Sequence, residues 1–103
     1  MQTIYLMQKR NSDLFNPGRL VLSQGISDSI GLDNDFAEFI LTSCRRHING
    51  DFGEISLKAA HQNHIGLQSG GRLFSAFRID EIVIWILTEE DRSITTILFP
   101  SEY

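Results

Sequence analysis

Charge and hydroxyl groups concentrate in Thr88-Glu89-Glu90-Asp91-Arg92-Ser93, between two apolar runs at 82–87 and 94–99. In that hexapeptide Glu89 and Asp91 offer an acid and a base, Arg92 an anion holder and Ser93 a hydroxyl donor. A surface of this make-up binds a phosphate or a partner's backbone, and Arg78 is a candidate to extend it. The same residue types also build an ordinary tight turn. In that case Asp91 accepts from backbone N–H groups and Arg92 pairs with a carboxylate. Glu89, Asp91, Arg92, Ser93 and Arg78 are therefore the candidate binding set.

A second set could do acid–base chemistry. His47 falls at the end of a helical pattern, where the helix dipole favours a protonated ring, and Asp51 follows four residues on, placed to orient it. The plainer alternative is a histidine that caps its own helix. Arg72, Arg78 and Arg92 form a phosphate-reading patch only if strand register brings them together; otherwise they are rim arginines paired with Asp80, Glu81 and Glu89. His47, Asp51, Arg72 and Arg92 are the catalytic candidates. His61 and His64 share a helix face, but without an acidic or cysteine ligand nearby the pattern is that of a solvated surface, and no metal site is expected. Cys44 lies on an apolar stripe and reads as a small buried hydrophobe. Gly70-Gly71 precedes a strand, not a helix, so it is no phosphate loop, and no cofactor motif is present.

Those residues need elements to hold them. Residues 3–7 suit a short strand. Pro17-Gly18 marks a turn, and residues 19–24 alternate as a strand that Gly25 ends. Asp33 is a good N-cap for a helix over 34–48, where Phe36, Phe39, Ile40, Cys44 and Ile48 recur at helical spacing and Asn49-Gly50 closes it. Ser56 caps a second, weakly amphipathic helix over 57–68. Residues 72–79, 82–87 and 93–99 form a three-stranded antiparallel meander, the middle strand apolar on both faces. The expectation is an α+β fold of order β-α-α-β-β-β: the meander plus an N-terminal strand, with two helices packed on one face. Residues 1–14 read as an N-terminal extension with an edge strand, and 15–103 as one domain.

The totals narrow the class. With 103 residues, 42% hydrophobic and 21% charged, the chain can bury a modest core without metal or disulfide. A net charge of −4 argues against a broad basic surface for duplex nucleic acid, though not against a local patch. The single cysteine excludes an internal disulfide and fits a reducing, cytoplasmic setting. The N-terminal apolar run is too short for a signal peptide, and no stretch approaches the roughly 18 apolar residues of a membrane span.

Several strings carry a resemblance: Phe15-Asn16-Pro17-Gly18-Arg19-Leu20-Val21; His47; Gly50-Asp51-Phe52-Gly53; Asn63; Gly71-Arg72-Leu73-Phe74-Ser75-Ala76-Phe77; and the run from Trp85 to Pro100, which includes Thr88-Glu89-Glu90-Asp91-Arg92-Ser93. Over 15–103 the chain resembles a family of small bacterial proteins described as plasmid-related, whose members occur on chromosomes, plasmids and other mobile elements. It departs from the family pattern at Phe52, where Trp is usual, and at Leu57-Lys58-Ala59, where an acidic stretch is usual. The family has no established reaction, so the resemblance implies a mobile-element context and no chemistry. Two functions follow as expectations. The first is a small cytosolic interaction protein, not an enzyme, whose partner is another protein. The second, from the element order, is a ribonuclease similar to the RelE-like toxins, acting on RNA through His47, Arg72, Arg78 and Arg92. The acidic balance weighs against it. A homodimer is a further expectation, because the apolar strand around Trp85 needs cover on both faces.

Overall fold

The structure, a computed structural model, describes the backbone of residues 2–6 and residues 10 and 13–103 in full. The elements are β1 (Gln2–Leu6), β2 (Arg19–Leu22), α1 (Gln24–Leu32), α2 (Asn34–Ile48), α3 (Leu57–Ser69), β3 (Leu73–Ile79), β4 (Ile82–Thr88), β5 (Ile94–Leu98) and a 3₁₀ turn at Pro100–Glu102. The fold is α+β. The β3-β4-β5 meander is antiparallel, with Ala76 opposite Trp85 and Ile86 opposite Ile97.

Two parts of the expected arrangement are corrected. The sheet has five strands in the order β1-β2-β5-β4-β3, and it is mixed, because β2 runs parallel to β5 with Leu20 beside Thr95. The order β-α-α-β-β-β also lacks a helix. Residues 24–32 are helical where the alternation of 19–24 reads as strand and Gly25 as its end. Ser23 takes the N-cap of α1, its hydroxyl accepting from the Ile26 N–H at 3.2 Å. Two glycines and a short length hide this helix in the sequence; burial of Ile26 and Ile30 on the core stabilises it.

The apolar residues of one sheet face meet the stripes of α1 and α2. Leu22, Ile26, Phe36, Ile40, Cys44, Phe77, Ile84, Ile86 and Ile97 form this core. The caps work as the residue types require: the Asp33 carboxylate accepts from the Asp35 and Phe36 N–H groups, and the Ser56 hydroxyl from that of Ala59. Gly50 closes α2 at a φ of 87°, in the left-handed region.

Helix α3 lies against the outer edge of β3. There the Asn63 amide, 2% exposed, donates to the Phe74 carbonyl at 2.7 Å and accepts from the Phe74 N–H at 3.0 Å. Two residues along, the Ala76 N–H donates to the Phe52 carbonyl and its carbonyl accepts from the Glu54 N–H. Gly53 sits so close to the Ala76 carbonyl that a Cβ there would lie 2.1 Å from its oxygen. A side chain and a short loop thus close an edge that would otherwise pair with another chain. Replacing Asn63 by Ala leaves both Phe74 groups without their partner, so stability falls by about 2–4 kcal/mol in urea denaturation. A loss below about 0.5 kcal/mol would show that water serves Phe74 equally well.

Candidate functional site

Position 47 follows 36, 40 and 44 on the inward side of α2, so the His47 ring enters the core and is 0% exposed. Phe15 and Phe52 meet it edge-on, with centroids 5.5 and 5.6 Å away. Its Nδ1 lies 2.5 Å from the Ser75 hydroxyl on β3, and its Nε2 lies 2.9 Å from the Thr88 hydroxyl on β4. Thr88 is 2.7 Å from the Thr95 hydroxyl on β5, and Thr95 donates to the Pro17 carbonyl at 2.7 Å.

That last bond sets the direction of the others. Pro17 can only accept, so the Thr95 proton points to it, and Thr88 must donate to Thr95. Thr88 then accepts from His47 Nε2–H, and Nδ1 accepts from Ser75. The network is complete only for a neutral ring protonated on Nε2. Burial favours that form: it pushes the His47 pKa from near 6.5 down to about 3, and the charge of Arg92 pushes the same way. The dipole-favoured, charged histidine expected at a helix end is therefore not what the core holds, and the C-cap is Asn49, whose side-chain amide donates to the Arg45 carbonyl at 2.8 Å.

Asp51 does not orient His47, whose ring nitrogens bond to Ser75 and Thr88. It takes a two-pronged bond from Arg46, at 2.7 and 3.3 Å, and accepts from the Gly53 N–H. The Arg46 hydrogen bond holds its carboxyl below the usual range. Arg46 itself lies over the Phe77 ring at 4.6 Å. Arg72 pairs with Glu89 at 3.4 Å, and a hydrogen bond to Tyr103 raises its pKa further. Arg78 pairs with Glu54 at 3.1 Å, across the strand edge and not with Asp80 or Glu81.

The 88–93 loop is a turn of the kind its residues allow. The Arg92 N–H donates to the Glu89 carbonyl at 2.9 Å, and Asp91 accepts from both the N–H and the hydroxyl of Ser93. The bonds from Ser93 keep the Asp91 carboxyl below the usual range. Arg92 adopts a φ of 61°. That conformation folds its guanidinium back into the protein, where Nη1 donates to the carbonyls of Gly71, Glu89 and Glu90 and Nη2 to that of Gly66. It joins the end of α3, the loop before β3 and the β4–β5 turn, 5.6 Å from the centre of the Phe15 ring. Gly18, at φ 69°, packs under this turn, where a Cβ would stand 2.3 Å from the Ser93 carbonyl oxygen.

Of the four catalytic candidates, then, His47 is internal, Asp51 is tied to Arg46, Arg72 to Glu89, and Arg92 to backbone carbonyls. In the binding set Ser93 and Asp91 bond to each other. Ser75, Thr88 and Thr95, which carry the histidine network, stand in neither candidate set. The available signal was a polar residue at an inward position of an apolar strand, as Ser75 stands between Leu73 and Phe77. Cys44 is buried beside Arg45, and burial pushes its thiol up to about 12, which leaves it unreactive. His61 and His64 are exposed on α3, apart from His47. Among the described residues no three His, Cys, Asp or Glu side chains are grouped to hold a metal, and no helix is long and apolar enough to cross a membrane. Comparison with protein-family models, curated proteins and solved structures finds no match.

The histidine network has a measurable signature. Imidazole ¹⁵N shifts are expected to report the Nε2–H tautomer, with no titration of His47 above about pH 4. Unfolding frees the ring to bind a proton below pH 6.5 while the folded ring stays neutral to about 3. The native state accordingly loses stability as pH falls through that window, by up to about 1.4 kcal/mol per unit. A His47 titration near pH 6.5 in the native protein would contradict the buried neutral assignment.

Proposed function

We propose that this chain is a small cytosolic interaction protein whose partner is another protein, acting in the mobile-element setting that the sequence resemblance implies. One observation supports the reading above the rest: His47, the best candidate for a general base, has both ring nitrogens bonded inside the core and no face toward solvent. A base must reach the proton it removes, and this one is shielded by Phe15 and Phe52. The arginines that an RNA-cleaving toxin would turn toward phosphate are engaged within the fold, two with carboxylates and one with carbonyl oxygens. Such groups build and rigidify a surface without cutting a substrate.

A self-paired form is favoured by a separate observation. On the sheet face away from α1 and α2, Phe74, Trp85 and Tyr103 make a chain of edge-on contacts at 5.4 and 5.7 Å. Tyr103 is 72% exposed, and the Arg72–Glu89 pair stands near it. An opposite-charge pair beside an aromatic patch is self-complementary across a two-fold axis.

The interaction reading predicts that the purified full chain leaves single-stranded and messenger RNA intact, that its induced expression does not arrest growth, and that it retains a specific protein from the lysate of its host. RNA cleavage that disappears in Arg92→Ala while the fold persists would establish the nuclease instead. Light scattering decides the self-paired form: twice the 11.7 kDa chain mass is expected, and the mass of one chain dismisses it.

A further inference from the structure

Leu87 on β4 and Thr96 and Leu98 on β5 alternate with Ile86 and Ile97 of the core, so they point to the opposite face of the sheet. In the register Leu87 lies opposite Thr96, and Leu98 opposite Trp85. Together they floor a cleft of about 430 Å³, a size that suits a small molecule. The side chains that line it above this floor include Arg72, Glu89, Glu102 and Tyr103.

The charged groups of the cleft differ in what is left to them. The Glu102 carboxylate is in use: it accepts from the Ser23 hydroxyl and from the N–H groups of Gly25 and Phe99. Arg72 and Glu89 reach each other only at 3.4 Å, whereas the other ion pairs among the described residues close at 2.7, 3.1 and 3.2 Å. Both side chains are nearly half exposed, at 48 and 42%. A pair so long and so open to water stabilises little. A ligand that offers each group a better-placed partner therefore displaces it easily.

Charge then selects the ligand. A simple anion on Arg72 leaves Glu89 without its partner, and a simple amine on Glu89 leaves Arg72 without its own. A molecule with both charges on neighbouring atoms satisfies both. A guanidinium fork holds a carboxylate by two parallel bonds, and a carboxylate accepts from an ammonium group. The α-carbon of an amino acid carries these two groups and a side chain besides, and Leu87 and Leu98 offer that side chain an apolar seat.

We infer that this cleft binds a free α-amino acid with an apolar side chain, its carboxylate on Arg72, its ammonium on Glu89 and its side chain over Leu87 and Leu98 beside Tyr103. The site goes beyond the interaction reading and does not rest on it. A second copy seated on the Phe74, Trp85 and Tyr103 patch would use the same Arg72–Glu89 pair, so bound ligand and self-pairing exclude each other.

The test titrates the ¹⁵N-labelled full chain with leucine and phenylalanine. Isocaproate supplies the carboxylate alone, isoamylamine the ammonium alone, and aspartate both charges on a polar side chain. Trp85, the one tryptophan of the chain, lies 5.7 Å from the Tyr103 ring, so its emission reports on the cleft. Leucine and phenylalanine are expected to change that emission and to shift the amide signals of Leu87, Thr96 and Leu98, with the three controls at least about tenfold weaker. Arg72→Gln and Glu89→Gln, both at exposed positions, are each expected to weaken leucine about tenfold or more, and Lys58→Gln on α3 to leave it unchanged. Equal binding of any control, unchanged affinity in either cleft variant, shifts confined to other elements, leucine held by a chain of twice the single-chain mass, or no response up to about 10 mM each overturn the assignment. The interaction reading is judged separately: a specific protein partner retained by a chain that ignores leucine leaves that reading standing and removes the cleft.

Discussion

The buried His47 imidazole is the contact on which the rest of the structure depends. Its two nitrogens tie α2 to β3 through Ser75 and to β4 through Thr88, and the hydroxyl chain continues to Thr95 on β5 and to the carbonyl of Pro17. Five segments of the chain are thereby held together. An imidazole and three hydroxyls without partners would be costly in a core of this size. Here every donor has one acceptor, and among the described residues no buried side-chain polar atom lacks a partner. A satisfied network of this kind is specific: a one-residue slip of β4 against β5 would turn Thr88 to the other face, away from Thr95 and the ring.

Arg92 is the complementary constraint on the far side of Phe15. Its fork draws four carbonyls toward one point, including that of Gly66 in α3 and that of Gly71 before β3. The Gly66 carbonyl also accepts from the Gly70 N–H and the Glu89 carbonyl from the Arg92 N–H, so the planar cation serves second lone pairs of carbonyls already in use. The Pro17-Gly18 turn, His47, the Gly71 loop and the Arg92 turn thus assemble around Phe15 and His47. The surface left over is where recognition has room to act.

Much of the fold was legible because its signals are local. Asp33 and Ser56 cap the helices that their positions announce, Gly50 ends α2, and the three strands of the meander fall within about a residue of their expected bounds. Where the signal is not local the reading went astray. Ser23-Gln24-Gly25 continues an alternating pattern, yet it starts a helix, because Ser23 can satisfy the Ile26 N–H while Glu102, remote in sequence, receives the Ser23 hydroxyl and the Gly25 N–H. The parallel pairing of β2 with β5 has no sequence mark, since any apolar strand can take either direction.

The sequence by itself determined the class of fold, the caps and turns that bound its elements, the concentration of negative charge over residues 20–44 and the presence of three histidines with a single cysteine. These depend on residue type and near neighbours, which the chain carries in order. Only the tertiary structure decided that His47 is a neutral strut and not an exposed base, and that Arg92 clamps carbonyls while Asp51 turns to Arg46. A side chain's protonation and availability are set by burial and by partners 28, 41 or 26 residues away, as for Ser75, Thr88 and Gly66. No local spacing encodes those distances.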